Sequence, residues 1–304
     1  MKIMKLEADV KNTLSRYERF GHQPTLLELW SLLSTKIEIE KLESAVTKSL
    51  KAWGIEKTRN RYHFRGESAN SEEYFSDLAQ NAKYKLRMAS VFADILSEYD
   101  GILFFGVSGS VASGYAKVGD DIDVFIITKK DRLWTMRFFV NIASIILKNR
   151  RGRRQQKITS NIHQDKFCFN LFLSEVDLEL PENKKTKYVA SEIFFLKPIL
   201  IRGGVYEKFL EKNDWIHDQL QNADFRKNTM PDISKENELK VWQKVCLNLI
   251  KMAYMVSLKI PLSESVYGYL QKKYMQDHIT SEIVTPTQLW FHPRDLNEEM
   301  EGQE

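Results

Sequence analysis

The sequence predicts an α/β (α+β) fold: a sheet-bearing core with a small helical domain before it and a helical region after it. Three observations predict it. Apolar runs at 101–107, 124–128 and 167–173 alternate with segments of helical spacing. The first 66 residues read instead as short helices and a hairpin, and the last third returns to apolar positions three or four apart. The chain has 304 residues, 43% hydrophobic and 28% charged, which is the composition of a globular protein long enough for two or three domains.

The elements follow in order. From residue 5 to about 19, Leu6, Val10, Leu14 and Tyr17 share one helical face, and Gly21 ends the pattern. Pro24 and Thr25 open a second helix, LLELWSLLS, with Thr25 and Glu28 at capping-box spacing. A third helix runs from about Glu38 to Trp53 and stops at Gly54. IEKTRNRYHFRG then reads as a basic hairpin with Arg59 and Asn60 near its turn. Three helices and a hairpin are the winged-helix order, over residues 1–66. The third helix is mixed in charge, while Lys57, Arg59, Arg61 and Arg65 crowd the hairpin. The domain therefore reads either as a nucleic-acid binder working through its wing or as a docking or dimerisation module.

Residues 67–71, ESANS, form a linker into a second domain, 67–230. It opens with an amphipathic helix from about Glu72 to Tyr99, then strand 101–107, strand 124–128, a helix over 131–148 and strand 167–173. KYVASEIFFL and YEKFLEKNDWIHDQL continue as helices. Pro231 and the polar DISKENE mark a boundary near 230, and residues 231–304 are a C-terminal helical region ending in an acidic tail.

Composition narrows the partners. A net charge of +4 permits nucleic acid or a polyphosphate ligand without demanding either. Cys168 and Cys246 lie in apolar runs with no CxxC or Cys/His cluster, which suits free thiols in a reducing cytoplasm. The N-terminus mixes charges early, so no signal peptide is expected. The longest apolar stretch, 133–147, carries Arg137 and is shorter than the ~20 residues of a membrane span. A cytoplasmic protein with no membrane partner is expected.

The chemistry concentrates in GVSGSVASGYAKVGDDIDVFIIT, residues 106–128. Residues two apart on a strand face one side, so Asp121 and Asp123 point together while Ile122 turns into the core. Two carboxylates beside apolar residues are costly unless a cation lies between them. Hard oxygen ligands of this kind suit Mg²⁺ or Mn²⁺ carrying phosphates. Gly109 and Ser110, between a strand and a short helix, would aim free amides and a hydroxyl at a phosphate. Lys117 on the returning loop would add positive charge.

These residues resemble the nucleotidyltransferase superfamily of DNA polymerase β. Its signature is an apolar residue, Gly, then Ser or Gly, a spacer of about ten residues, and Asp-x-Asp between apolar residues. Here that is Val107-Ser108-Gly109-Ser110 and Asp121-Ile122-Asp123-Val124. The wider layout is similar to a group of bacterial and archaeal nucleotidyltransferase-domain proteins with an N-terminal winged helix. The resemblance implies a mixed sheet, a bound nucleoside triphosphate on Gly109 and Ser110, and metal on Asp121 and Asp123. It also implies a third carboxylate on a later strand. The matching position is Asn170, which can coordinate through its carbonyl but cannot act as a base.

The run Lys148-Asn149-Arg150-Arg151-Gly152-Arg153-Arg154 is the densest charge in the chain, and its arginines, with Arg59 and Arg61, are candidate nucleic-acid contacts. His163 is the one histidine kept as a pocket candidate. Two functions follow as expectations. One is a Mg²⁺-dependent nucleotidyltransferase acting on RNA, a protein or a small molecule, with Asp121, Asp123 and Asn170 at its centre. The other is a catalytically impaired nucleotide sensor or nucleic-acid-binding regulator using the winged helix, with nucleic acid or a partner protein as its target.

Overall fold

A computed structural model describes residues 2–18, 21–67, 69–147, 166–225, 239–260, 262–275 and 282–291. The N-terminal part contains α1 (Lys2–Glu18), α2 (Leu26–Ser31), α3 (Ile39–Trp53) and the antiparallel hairpin of β1 (Ile55–Thr58) and β2 (Arg61–Phe64). Local chemistry sets these limits. Thr25 and Glu28 close a capping box on α2, and Gly54 ends α3 in the left-handed conformation at φ +68. Arg59 and Asn60, both at positive φ, make the hairpin turn. The helices close over a core of their own, built on Leu14, Leu29, Val46, Trp53 and Tyr62.

The linker leads into α4 (Glu72–Leu96), β3 (Ile102–Ser108), the short α5 (Gly109–Ser113), β4 (Ile122–Thr128), α6 (Leu133–Ile146) and β5 (Phe167–Ser174). Next come α7 (Lys187–Phe195), β6 (Lys197–Ile201), α8 (Val205–Lys212) and α9 (Ile216–Gln219). The chain ends in α10 (Val241–Ser257), α11 (Ser263–Met275), β7 (Ile283–Val284) and β8 (Gln288–Trp290). The sheet order is β6-β3-β4-β5-β8-β7. Among the described strands the β4–β5 pair is parallel and the other pairs are antiparallel, so the sheet is mixed.

Both faces of the sheet are covered, which is why its central strands read as unbroken apolar runs rather than alternating ones. Phe105, Val107, Ile126 and Phe172 pack under α4, α6 and α10. Phe104, Phe125, Ile127 and Leu173 pack under α7, α8 and α9.

The last third departs from the expectation of helix alone. KPILI is strand β6 at the sheet edge, where Pro198 costs the ladder least. Near the C-terminus, β8 pairs with β5 and carries β7 on its outer side. The region after 230 thus completes the central sheet as well as adding two helices. Strands of two and three residues are too short to show a period in the sequence.

Candidate active site

The site begins where β3 stops. Ser108 is still extended, and Gly109 turns at φ +69. A Cβ at Gly109 would stand 2.6 Å from Asp123 Oδ2, closer than real contacts allow. Glycine is therefore required twice, by its conformation and by the approach of the carboxylate. After α5 the chain returns through a loop held from below by Lys85. This lysine is buried on α4, and its Nζ donates to the carbonyls of Val118 (3.1 Å) and Asp120 (2.7 Å).

The loop delivers Asp121 and Asp123 on either side of fully buried Ile122. Both line a cleft of about 460 Å³ together with Gly109, Ser110 and Lys117. The structure thus brings all five expected nucleotide and metal residues into one cavity, while Asn170, expected beside the two aspartates, is not in its lining. The amide and hydroxyl expected to be free are engaged. Gly109 N–H donates to Glu192 Oε2 at 2.9 Å, and the Ser110 hydroxyl donates to Asp120 Oδ2 at 2.7 Å, which also accepts from Lys117 N–H at 2.9 Å. Amides that attract anions have here taken the nearest carboxylates.

Asn170 lies behind this wall. The β4–β5 register shifts between Val124 and Phe125, which leaves Asn170 as the extra residue between Phe169 and Leu171. A bulge of this kind re-aims a side chain. Asn170 is buried, donates through Nδ2 to Asp123 Oδ1 and accepts from Cys168 Sγ at 2.8 Å. Its observed contact is with Asp123, and it lines a small cavity behind the main cleft rather than the cleft itself.

The facing wall was absent from the sequence reading. It comes from α7 and the N-terminal helices: Lys187, Tyr188, Glu192, Arg16, Tyr17 and His22. Glu192 is partly buried at the cleft wall, and desolvation raises its carboxyl to about 7 against the opposing pull of the Gly109 amide. The negative charge of Glu192, then burial and Asp123, raise the Tyr188 phenol. Burial holds His22 neutral, lowering its imidazole to about 4, and its ring packs edge-on to Tyr115 with centroids 3.5 Å apart. No periodicity points to Glu192, because it stands on α7 beside other polar residues, Lys187 and Ser191, as a surface carboxylate would. Lys85 leaves one sequence signal, a lone cation on the apolar face of α4 between Ala82 and Ala89.

The wing arginines separate. Arg59 is exposed at the turn. Arg61 is turned inward. Its Nη1 donates to Gln23 O and Tyr115 Oη, each at 2.8 Å, while its guanidinium lies 4.0 Å from the Phe75 ring centre. Tyr115 in turn donates to Glu28 Oε1 at 2.7 Å. Two more anchors dock the N-terminal part over the cleft. Lys187 Nζ donates to Asp9 Oδ1 at 3.0 Å, and the Asn222 amide bonds the backbone of Trp30, Thr35 and Ile37. Arg150, Arg151, Arg153, Arg154 and His163 lie outside the described residues.

Among the described residues, no group of three or more His, Cys, Asp or Glu side chains could by itself hold a metal ion, and no helix is long and apolar enough to cross a membrane. Asp121 and Asp123 nonetheless offer hard carboxylate oxygens on one wall. That donor set fits an ion such as Mg²⁺, which completes its shell with water and phosphate oxygens.

A mixed sheet carrying a Gly-Ser turn opposite an Asp-x-Asp strand defines a nucleotide-transferring class of domain. Residues 89–226 match the family model described as nucleotidyltransferase domain, which is consistent with the polymerase-β-like superfamily. No curated protein and no solved structure matches the chain.

Proposed function

We propose that the protein is a divalent-metal-dependent nucleotidyltransferase that moves a nucleoside monophosphate from a nucleoside triphosphate to RNA, a protein side chain or a small molecule. The supporting observation is the convergence of Gly109, Ser110, Asp121 and Asp123 on one cleft of nucleotide size.

In this reading Asp121 and Asp123 hold Mg²⁺ or Mn²⁺, which supplies charge neutralisation to the polyphosphate. The Gly109 amide and Ser110 hydroxyl exchange their carboxylate partners for phosphate oxygens, and Lys117 adds charge at the rim. The acceptor's nucleophile attacks the α-phosphorus and forms the new bond there. The bridging bond to the β-phosphate breaks, and pyrophosphate leaves. The acceptor's proton needs a base, and Asn170 cannot serve. Glu192 lines the same cleft, bonds the same glycine, and has a carboxyl near the pH at which it would work. Asn170 then acts by holding Asp123 in place.

Residues 1–66 serve as a winged-helix-like docking domain, because Arg61 of the wing is spent on the contact with Tyr115 and Gln23. One observation favours a second reading, a nucleotide sensor without transfer: an amide stands where the superfamily keeps its third carboxylate.

Label transfer decides between them. The protein is incubated with Mg²⁺ or Mn²⁺, each α-labelled nucleoside triphosphate in turn, and total RNA and protein, beside an Asp121→Asn, Asp123→Asn variant. Label carried by the wild type alone establishes the transferase and the acceptor's class. Absence of label, with metal-dependent nucleotide binding retained, establishes the sensor.

A further inference from the structure

The outer face of the C-terminal helices takes no part in the cleft. Among the described residues, thirteen of the nineteen exposed large apolar side chains fall between Val241 and Tyr274. Such a concentration separates this face from the scattered apolar residues normal on any surface.

Helix α10 is apolar on two opposite sides. Leu247 and Tyr254 are buried against the body, with Ile250 packed between them. On the far side Trp242, Val245, Leu249, Met252 and Val256 are all exposed, from 45% at Trp242 to 65% at Met252. Their spacing is three, four, three, four, the a/d pattern of a helix that pairs with another helix. A helix apolar all round belongs in an interior. Helix α11 continues the face with Val266, Tyr269, Leu270 and Tyr274, each more than half exposed.

The base beneath this face is rigid. Glu264 of α11 caps α6 by accepting from Trp134 N–H at 2.7 Å and Thr135 N–H at 2.9 Å. Arg137 donates to Gln271 Oε1 at 2.6 Å, and Gly268 packs directly on the Trp134 ring. Helix α11 is therefore anchored on α6, while α10 is tied to the body through the Tyr254 hydroxyl, which accepts from Gly101 N–H and donates to Asp100.

Charge selects the partner. The positions flanking the stripe on α10 are Cys246, Asn248, Ala253 and Met255, none of them charged. Lys244 and Lys251 stand away from it, and Lys251 is paired with Glu98. The α10 stripe, with neutral flanks, can meet its own copy without like-charge repulsion, while α11 carries the exposed Lys273 beside Leu270 and Tyr274. Area agrees. A fully exposed apolar side chain offers roughly 60–120 Å². The nine named on α10 and α11, nearly all more than half exposed, supply on the order of 450 Å², and a polar rim around them extends this toward the ~800 Å² per partner of a stable interface.

We infer that the protein pairs with a second copy of itself through α10 and α11, giving a four-helix interface remote from the cleft. Leu249 is the middle residue of α10, so it lies near its copy whether the two helices run parallel or antiparallel.

The test is the mass of the full chain in solution by sedimentation equilibrium at micromolar concentration. The wild type is expected at twice 35.7 kDa. Leu249→Glu and Leu249→Lys are each expected to weaken association at least 100-fold with unchanged far-ultraviolet circular dichroism. Mixing the two variants in equal amounts is expected to restore the dimer. A wild type that stays at 35.7 kDa overturns the inference and leaves the face to a different protein. An oligomer that survives Leu249→Glu overturns it as well.

Discussion

The two walls of the cleft are built in different ways. One runs without a break from Gly109 to Asp123, along a strand end, a turn, a short helix and a second strand. The other is gathered from α1, His22 and α7, segments far apart in the chain. The first wall carries the groups that a metal and a phosphate need. The second sets their electrostatic surroundings: a carboxyl raised to about 7, a neutral imidazole and two raised phenols. Chemistry encoded locally thus acts in a field that only tertiary packing creates.

The sharpest break in the first wall is Gly109→Ala. A methyl there meets Asp123 Oδ2 and forces a residue at φ +69 out of its conformation. Displacing a reacting group by about 1 Å costs on the order of 100-fold in rate. Transfer measured as kcat/KM should fall at least that far. An unchanged rate would mean that Asp123 has no fixed position to keep.

The docking of the N-terminal part beside the second wall is broken at Arg61. Arg61→Ala leaves the half-buried Glu28 carboxylate, the Gln23 carbonyl and the Tyr115 hydroxyl short of a partner and should cost about 1–3 kcal/mol by urea unfolding. Arg61→Lys should not rescue it, because an ammonium cannot bond Gln23 O and Tyr115 Oη while lying flat on Phe75. Arg59→Ala, at the exposed turn, should stay within about 0.5 kcal/mol of the wild type.

The subtlest prediction is a cancellation in the metal-free protein. Glu192 is raised in the fold, so its favourable contribution is full below the unfolded value of 4.5 and is lost as pH rises through 7. His22 is lowered, so its contribution is full above 6.5 and is lost as pH falls through 4. Each shift is worth about 3 kcal/mol. Between pH 4.5 and 6.5 the two slopes oppose each other, and wild-type stability should be nearly flat. Glu192→Gln should become less stable on acidification across that window, and His22→Gln should become more stable. Parallel profiles for all three proteins would sink both assignments.

How much of this could be read in advance follows the same division. The Asp-x-Asp strand and the Gly-Ser turn were legible because strand alternation and glycine's special backbone leave marks at short range. The N-terminal helices were legible from the Thr25–Glu28 cap and the Gly54 stop. Glu192 was not, because burial and the Gly109 contact are made by residues distant in sequence. Arg61 and Arg59 look alike in the sequence, and only docking against Tyr115 separates them. Strands β6, β7 and β8 escaped because segments of two to five residues carry too few alternations to show a period.

The most direct test of the central claim is a calorimetric titration of a nucleoside triphosphate analogue that cannot be cleaved between its α- and β-phosphates. It is run with Mg²⁺ and with chelator, on the wild type and on Asp121→Asn, Asp123→Asn. Binding by the wild type with Mg²⁺, weakened at least tenfold by chelator or by the double substitution, is the predicted result. Equal affinity in all four titrations would contradict a metal–nucleotide site at the two aspartates.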